Sequence, residues 1–117
     1  MKTELDYKRE IIKFAHLCYE RNLLVGMDGN LSVRLPSGNI MCTQAACHKG
    51  MLTEDNLVVI DIEGRKLRGR GEPTSEMAMH LACYRERKDV HAVIHAHPPI
   101  AVGFTIAGVS LARCVLP

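Results

Sequence analysis

Residues 93–99 of this 117-residue chain read Val-Ile-His-Ala-His-Pro-Pro, an apolar run that carries two histidines and stops at two prolines. Such a run predicts a β-strand with a fixed end, because proline cannot continue the hydrogen-bond ladder of a sheet. Residues two apart in a strand point to the same face, so His95 and His97 are expected side by side. The pattern therefore predicts a strand whose exposed end offers two imidazoles to one metal ion.

The composition is that of one ordinary globular domain, which we place at residues 1–117. Hydrophobic residues make up 47% and charged residues 24% of the chain, and the net charge is +2. A nearly neutral chain without a basic, aromatic-lined stripe is not expected to bind nucleic acid. The N-terminus is charged and no apolar run is long enough to span a bilayer, so we expect a cytoplasmic protein with no membrane partner.

Helical and strand patterns alternate along the chain, which is typical of an α/β fold. Apolar residues at helical spacing predict a first helix over 4–22, and a polar turn at 36–39 joins predicted strands at 31–35 and 40–43 into a hairpin. The other predicted elements are strands at 57–61, 66–68 and 90–96 and helices at 74–87 and 98–107. The hairpin means that the sheet is not purely parallel. Residues 109–117 are predicted to form a strand or a buried segment.

A catalytic zinc ion usually takes three protein ligands, so the two histidines need a partner. His91 shares their strand face, but at the rise of a strand it lies about 13 Å from His95, too far for a common ion. His80 follows Glu76 by four residues on one helix face, yet the second histidine of a zinc-protease helix is absent. We interpret His91 as a surface or supporting residue and His80 as a partly buried helix residue.

The helix start at residues 73–76, Pro-Thr-Ser-Glu, and the turn at Gly29 and Asn30 each allow two interpretations. Thr74 or Ser75 can cap the helix, and free backbone N–H groups at a helix start form a natural anion site. The plainer interpretation is a capped helix and an ordinary glycine turn, with the glutamate placed to favour the helix dipole. Each pattern taken alone leaves both interpretations open.

Taken together, these features limit the class of reaction that such a site could catalyse. An anion site, an acid/base carboxylate and a metal pair together suggest a reaction at a carbon atom next to a carbonyl group. The metal would act as a Lewis acid on the carbonyl oxygen and stabilise an enediolate, while the carboxylate moves the proton.

Five stretches of the chain resemble the class II aldolase/adducin family, and they occur in the order in which the family has them. They are residues 29–34, 52–55, 58–61, 73–80 and 93–97. The resemblance implies a three-layer α/β/α fold around a central mixed or antiparallel sheet. It covers nearly the whole chain, so it concerns the domain rather than a single motif.

The resemblance also implies roles for the candidate site residues. His95 and His97 would bind a zinc ion or another divalent metal, and Glu76 would be the catalytic acid/base. The phosphate group of the substrate would be held by Gly29, Asn30, Thr74 and Ser75.

The implied function is that of a metal-dependent aldolase-type lyase, which cleaves a small sugar phosphate or hydroxy-ketone through a zinc-stabilised enediolate. A sugar-phosphate 4-epimerase or a dehydratase on the same scaffold is the alternative, although the related epimerases tend to carry Asp in place of Glu76. A second alternative is a non-enzymatic, adducin-like domain for binding and assembly. Such members tend to lose the metal ligands, which this chain retains.

Two departures from the family pattern affect what the resemblance implies. The family usually has a Thr/Ser-Gly pair after the second hairpin strand, where this chain has Ala45 and Ala46, and this weakens the case for a phosphorylated substrate. The family's third zinc histidine lies beyond residue 117, so we expect this chain to be the N-terminal part of a longer domain. Because only two ligands are present, the 117-residue chain is expected to bind metal weakly or not at all. Full-length members commonly form cyclic tetramers, which makes a homotetramer the expected assembly.

Overall fold

A computed structural model describes residues 1–113 of the chain. Its helices and strands occur in the predicted order. They are helix α1 at Glu4–Glu20, strands β1 at Asn30–Arg34, β2 at Ile40–Thr43, β3 at Leu57–Ile60 and β4 at Lys66–Arg68, helix α2 at Met77–Glu86, strand β5 at Ala92–His95 and helix α3 at Pro99–Ile106. Two single-turn 3-10 helices, at Lys49–Met51 and Glu54–Asn56, connect β2 to β3.

The five strands form one sheet in the order β4-β3-β2-β1-β5, and every strand pair in the described residues is antiparallel. The predicted hairpin is confirmed, since β1 pairs with β2 so that Ser32 lies opposite Cys42. Strand β5 returns to the other edge of β1, where His95 lies opposite Asn30. This register brings the glycine-asparagine turn and the histidine pair together.

The sheet has an apolar core on each face, because successive side chains of a strand point to opposite sides. On one face, Leu31 and Met41 share a buried cluster with Ile11 of α1. The opposite face buries a second cluster with α2, made of Ile40, Cys42, Val58, Ile60, Met77, Leu81 and Tyr84. The structure thus confirms the predicted three layers, with α1 and α2 on either side of the sheet.

The same alternation places two polar residues of β1 beneath α2. Asn30 and Ser32 point to the α2 side, because Leu31 between them faces α1. They are only 3% and 1% exposed. A buried polar group is costly unless it is hydrogen-bonded, so α2 has to supply partners for both.

Helix α2 starts differently from the prediction. It begins at Met77, with Glu76 in the N-cap position and no side-chain cap. Neither Thr74 nor Ser75 caps it as expected, because the chain first forms a turn in which the Met77 N–H donates to the Thr74 carbonyl. The Glu76 side chain is thereby free to point away from its own helix.

The C-terminal region also differs from the prediction. Residues 109–113 form neither helix nor strand, and Val109 and Leu111 are 52% and 57% exposed, so the expected strand or buried segment is wrong there. In the described sheet β5 is one of the two edge strands, and this segment does not pair with it. The rest of that prediction, residues 114–117, lies outside the described residues. Within residues 1–113, no helix combines the length and the apolar character needed to cross a membrane.

Candidate metal and acid/base site

The predicted histidine pair lies where β5 ends. The rings of His95 and His97 are neighbours, with centroids 4.8 Å apart and planes inclined by 52°. The backbone N–H of His97 donates to the Leu23 carbonyl at 2.8 Å, which ties the segment after β5 to the turn after α1. The two imidazoles therefore lie side by side, as the spacing predicted.

The Glu76 carboxylate lies next to this pair, at the start of α2. Its Oε2 atom is 2.6 Å from Nδ1 of His95 and 2.5 Å from Nδ2 of Asn30. The hydrogen bond donated by Asn30 is the main cause that holds the pKa of Glu76 below its usual range, and His95 adds to it. The carboxylate is therefore ionised at neutral pH, and with 45% of its side chain exposed it can accept a proton from a bound molecule.

Gly29 allows β1 and β5 to approach each other at this point. Its φ angle is +72°, in the left-handed region that favours glycine. A Cβ atom there would lie 2.6 Å from the carbonyl oxygen of His95 and would overlap the side chain of Leu24. The glycine of the predicted turn is thus required by the packing around the site.

A chain of buried hydrogen bonds extends from Glu76 into the protein. The Oδ1 atom of Asn30 is 2.5 Å from Nε2 of His80, whose Nδ1 is 2.7 Å from the Ser32 hydroxyl. The Ser32 hydroxyl lies 2.8 Å from the hydroxyl of Tyr84. His80 is fully buried, more than the sequence suggested, and burial lowers its pKa to about 4. The sequence feature that could have indicated this network is the four-residue spacing of Glu76, His80 and Tyr84, which places them on one side of α2.

An open cavity of about 230 Å³ lies in front of Glu76 and His97. The four predicted phosphate-binding residues all line it: Gly29, Asn30, Thr74 and Ser75. The buried Thr74 hydroxyl accepts from the Glu76 N–H at 3.5 Å, whereas Ser75 is exposed. The amide of Asn30 uses its oxygen and one N–H inside the protein, so its second N–H has no partner in the described residues.

Sequence reasoning missed Lys49, which lines the same cavity. Only 2% of this residue is exposed, and its ammonium group donates to the carbonyls of Met27 and Cys47, both at 2.8 Å. Burial lowers the pKa of Lys49. An ammonium group has three N–H donors, so one remains for an anion in the cavity. No local pattern distinguishes this lysine from one on the surface.

The loop at Ala45 and Ala46 keeps a shape that usually requires glycine. Ala46 has a φ angle of +52° and lines the cavity, while the Ala45 N–H donates to the Glu72 carbonyl at 2.8 Å. A left-handed conformation costs a residue with a Cβ atom about 1–2 kcal/mol. The loop therefore offers no hydroxyl group at these two positions, but at Ala46 its backbone has a conformation that favours glycine.

The donor chemistry of the site fits a divalent ion such as zinc, which proteins bind through imidazole nitrogens and carboxylate oxygens. His95 and His97 can supply two nitrogen ligands. Within residues 1–113, no three His, Cys, Asp or Glu side chains lie close enough together to hold an ion. His91 is exposed and its carbonyl accepts from the N–H of Arg34, away from the pair.

The chain is similar to a known protein family and to several curated proteins. Residues 9–116 match the model of the family Class II Aldolase and Adducin N-terminal domain. An L-fuculose phosphate aldolase from Methanococcus vannielii is 36% identical over 84% of this chain and 52% of its own length. A 3-oxo-tetronate 4-phosphate decarboxylase from Haemophilus influenzae is 36% identical over 81% of this chain and 45% of its own. A methylthioribulose-1-phosphate dehydratase from Methylococcus capsulatus is 36% identical over 83% and 48%.

Solved structures share the fold of this chain. The YgbL protein of Klebsiella pneumoniae superposes with a TM-score of 0.84 at 27% identity, over 90% of this chain and 50% of that one. An L-fuculose 1-phosphate aldolase superposes with a TM-score of 0.80 at 35% identity, over 89% and 49%. The chain spans about half the length of the curated relatives it matches. With the family model matched along most of its length, the chain belongs to the class II aldolase and adducin N-terminal domain family.

Proposed function

We propose that this chain carries part of the active site of a metal-dependent aldolase, a lyase that cleaves a carbon–carbon bond of a small sugar phosphate or hydroxy-ketone. One observation carries the proposal: the ionised Glu76 carboxylate lies 2.6 Å from His95, beside the paired rings of His95 and His97. A base next to two imidazoles that can bind metal, at the edge of a polar cavity, suits proton transfer beside a carbonyl group.

Zinc, or a similar divalent ion, is the proposed cofactor. His95 and His97 would bind it, with a third ligand from beyond residue 117, and when bound it polarises the carbonyl group of the substrate. The fit is supported by the donor set and by Gly29, which lets β1 come close to the carbonyl of His95. Class II aldolases generally use such an ion.

Glu76 is the proposed acid/base. Aldol cleavage breaks the bond between the carbon next to the carbonyl group and the hydroxyl-bearing carbon beyond it. The hydroxyl group loses its proton as its oxygen becomes the carbonyl oxygen of the released aldehyde, and the carbon next to the original carbonyl then takes up a proton. An ionised Glu76 can accept the first proton and donate the second, so the carboxylate ends as it began. The hydrogen bond from Asn30 holds it in place during both transfers.

The substrate is proposed to carry a phosphate group. The cavity offers hydroxyl and amide donors from Asn30, Thr74 and Ser75, and Lys49 adds a buried positive charge. The left-handed backbone at Ala46 supports a contact through its N–H group, although the loop has no hydroxyl. The three curated relatives carry names that refer to phosphorylated compounds.

A decarboxylase or a dehydratase on the same scaffold is the second candidate function. Relatives with these names are as similar to the chain, at 36% identity, as the aldolase is. Both reactions also break a bond near a carbonyl group. A 4-epimerase is less favoured because this chain has Glu76, and an adducin-like binding domain is disfavoured because His95 and His97 are both present.

The whole protein is proposed to be a cytoplasmic homotetramer. Helix α3 exposes large apolar side chains, with Ile100 and Ile106 exposed by 76% and 83%. Surface of this kind is typical of regions that contact further protein. In such an assembly the active sites would lie where subunits meet.

The test uses the full-length protein loaded with zinc and a panel of ketose phosphates, with products identified by mass. The wild type is expected to release an aldehyde and a smaller ketone. Glu76→Gln should keep zinc and lose turnover, whereas the His95→Ala/His97→Ala double variant should lose zinc. Full zinc occupancy in the double variant would contradict the ligand assignment. Release of carbon dioxide would indicate a decarboxylase instead of an aldolase, release of water a dehydratase, and a product of unchanged mass an epimerase.

A further inference from the structure

We propose that His80 is a positioning residue, which holds the Asn30 amide in the one orientation that donates a hydrogen bond to Glu76. The inference rests on the proposed function, because it concerns the carboxylate proposed there as the acid/base. It extends the site to a residue of α2 that does not line the cavity and is fully buried against the sheet.

The two ends of the Asn30 amide meet different partners. Its Nδ2 atom is 2.5 Å from the Glu76 carboxylate, and its Oδ1 atom is 2.5 Å from Nε2 of His80. An amide donates at its nitrogen and accepts at its oxygen, and a carboxylate only accepts. Rotation of the amide by 180° would place its oxygen against the Glu76 carboxylate, which pairs two acceptors, and its NH₂ group against Nε2 of His80. The second contact pairs two donors only when Nε2 carries hydrogen. The protonated nitrogen of His80 therefore decides whether both contacts oppose the rotation.

The charge state of His80 makes its ring a directional partner. Because burial lowers the pKa of His80 to about 4, the ring is neutral at pH 7 and carries hydrogen on only one nitrogen. The Asn30 oxygen needs that hydrogen on Nε2. Nδ1 must then accept, and the Ser32 hydroxyl lies 2.7 Å away to donate. The Ser32 oxygen in turn accepts from the Tyr84 hydroxyl at 2.8 Å.

Tyr84 anchors the far end of this chain of donors. Burial raises the pKa of Tyr84 to about 12, so its hydroxyl keeps the proton that it donates to Ser32. Arg34 lies over the Tyr84 ring at 4.9 Å and donates to its backbone carbonyl at 2.7 Å. Every hydrogen bond from Tyr84 to Glu76 therefore points the same way, towards the carboxylate.

The network is complete, which raises the cost of breaking it. Every buried side-chain nitrogen and oxygen atom in residues 1–113 has a hydrogen-bond partner. A half-satisfied polar network is worse than an apolar one in the same place, because an orphaned group is left in a medium of low dielectric constant. Removal of His80 leaves the Asn30 oxygen without its partner and lets the amide move away from Glu76.

A role in positioning and a role in packing alone predict different kinetics. If His80 only fills space, its loss lowers stability, and the folded fraction keeps its turnover. If it positions Asn30, its loss lowers the kcat of the folded fraction, because the amide no longer holds the carboxylate that transfers the proton. KM rises as well to the extent that the Asn30 amide also binds the substrate phosphate. A side chain that restores an N–H donor at the Nε2 position should then restore kcat.

The kinetic test uses the full-length, metal-loaded protein with His80→Leu, His80→Gln and the control Leu81→Val. Leu81 neighbours His80 on α2 and is buried in the core without a hydrogen bond to the network. We expect His80→Leu to lower kcat about 10- to 100-fold, the range usual for residues that orient an active-site group. His80→Gln should recover most of this loss, and Leu81→Val should keep kcat. Wild-type kcat in His80→Leu, or equal losses in the Leu and Gln variants, overturns the inference and leaves the proposed function intact.

A second measurement needs no substrate and no metal. Histidine labelled with nitrogen-15 in the 117-residue chain reports by NMR which ring nitrogen of His80 carries hydrogen. We expect the Nε2–H form at neutral pH, and an Asn30 side-chain NH₂ signal that persists in His80→Gln and shifts in His80→Leu. The Nδ1–H form overturns the inference whether or not the protein proves to be a lyase. This measurement also decides the question if His80→Leu fails to fold.

Discussion

Replacement of Gly29 by alanine tests whether the close contact of β1 and β5 builds the site. Gly29 has a φ angle of +72°, and a Cβ atom there would lie 2.6 Å from the carbonyl oxygen of His95 and overlap Leu24. The left-handed backbone costs alanine about 1–2 kcal/mol. Extra atoms in a packed region cost about 1–3 kcal/mol more, so we expect the free energy of unfolding to fall by about 2–5 kcal/mol.

Gly38→Ala, in the hairpin turn, is the matched control for Gly29→Ala. Gly38 has a φ angle of +87°, and no atom lies within 4 Å of the position that a Cβ would take. This variant therefore carries the backbone cost of about 1–2 kcal/mol without a collision. The difference between the two variants isolates the contact with β5, and we expect it to be about 1–3 kcal/mol.

Urea denaturation followed by circular dichroism measures both free energies of unfolding by linear extrapolation. NMR signals of the His95 ring should move in Gly29→Ala and stay in place in Gly38→Ala, because only the first variant disturbs the pairing of Asn30 with His95. Equal free energies for the two variants would refute the reasoning. They would show that Leu24 and the end of β5 move aside at no cost.

Three further predictions concern buried ionisable groups. In the full-length protein, Lys49→Met should raise KM for a phosphorylated substrate about 10- to 100-fold, since a hydrogen bond to a charged group is worth about 1.5–3 kcal/mol; an unchanged KM contradicts the contact. The pKa of His80 is about 4 in the folded chain and 6.5 when unfolded, so on acidification the unfolded state binds the proton first. The free energy of unfolding should therefore fall on the order of 3 kcal/mol as the pH drops from 6.5 to 4. Urea denaturation at each pH should show this fall in the wild type and not in His80→Gln. The same dependence of the free energy of unfolding on pH in both proteins would contradict the prediction. Burial raises the pKa of Cys42 to about 12, so iodoacetamide near pH 8 should label it only after unfolding, as peptide mass mapping can check.

Local patterns predicted the elements of this fold well. The hairpin strand Ile40–Thr43 and the short strand Lys66–Arg68 have the predicted bounds, because alternating side chains and turn residues act over a few positions. The start of α2 was less predictable. The Thr-Ser pair before it looks like a cap, but the chain makes a turn there that frees the Glu76 side chain for Asn30 and His95.

Burial of polar residues was the part of the site that local patterns could not predict. His80 and Lys49 are 0% and 2% exposed, although histidine is only sometimes buried and lysine is almost never fully buried. Their burial depends on which elements cover them. Asn30 and Ser32 lie under α2 because β1 is an interior strand of the sheet and turns its even-numbered side chains towards that helix.

The sequence by itself determined the alternating helices and strands, the histidine pair at a strand end and the glycine-asparagine turn. All of these depend on spacings of two to four residues, which the backbone geometry of a strand, a helix or a turn converts directly into positions. Only the tertiary structure decided that Glu76 contacts both Asn30 and His95, that His80 supports Asn30 and that Lys49 faces the cavity. These contacts join residues far apart in the chain, and they are set by strand register and by the packing of α2 on the sheet, which no local pattern encodes.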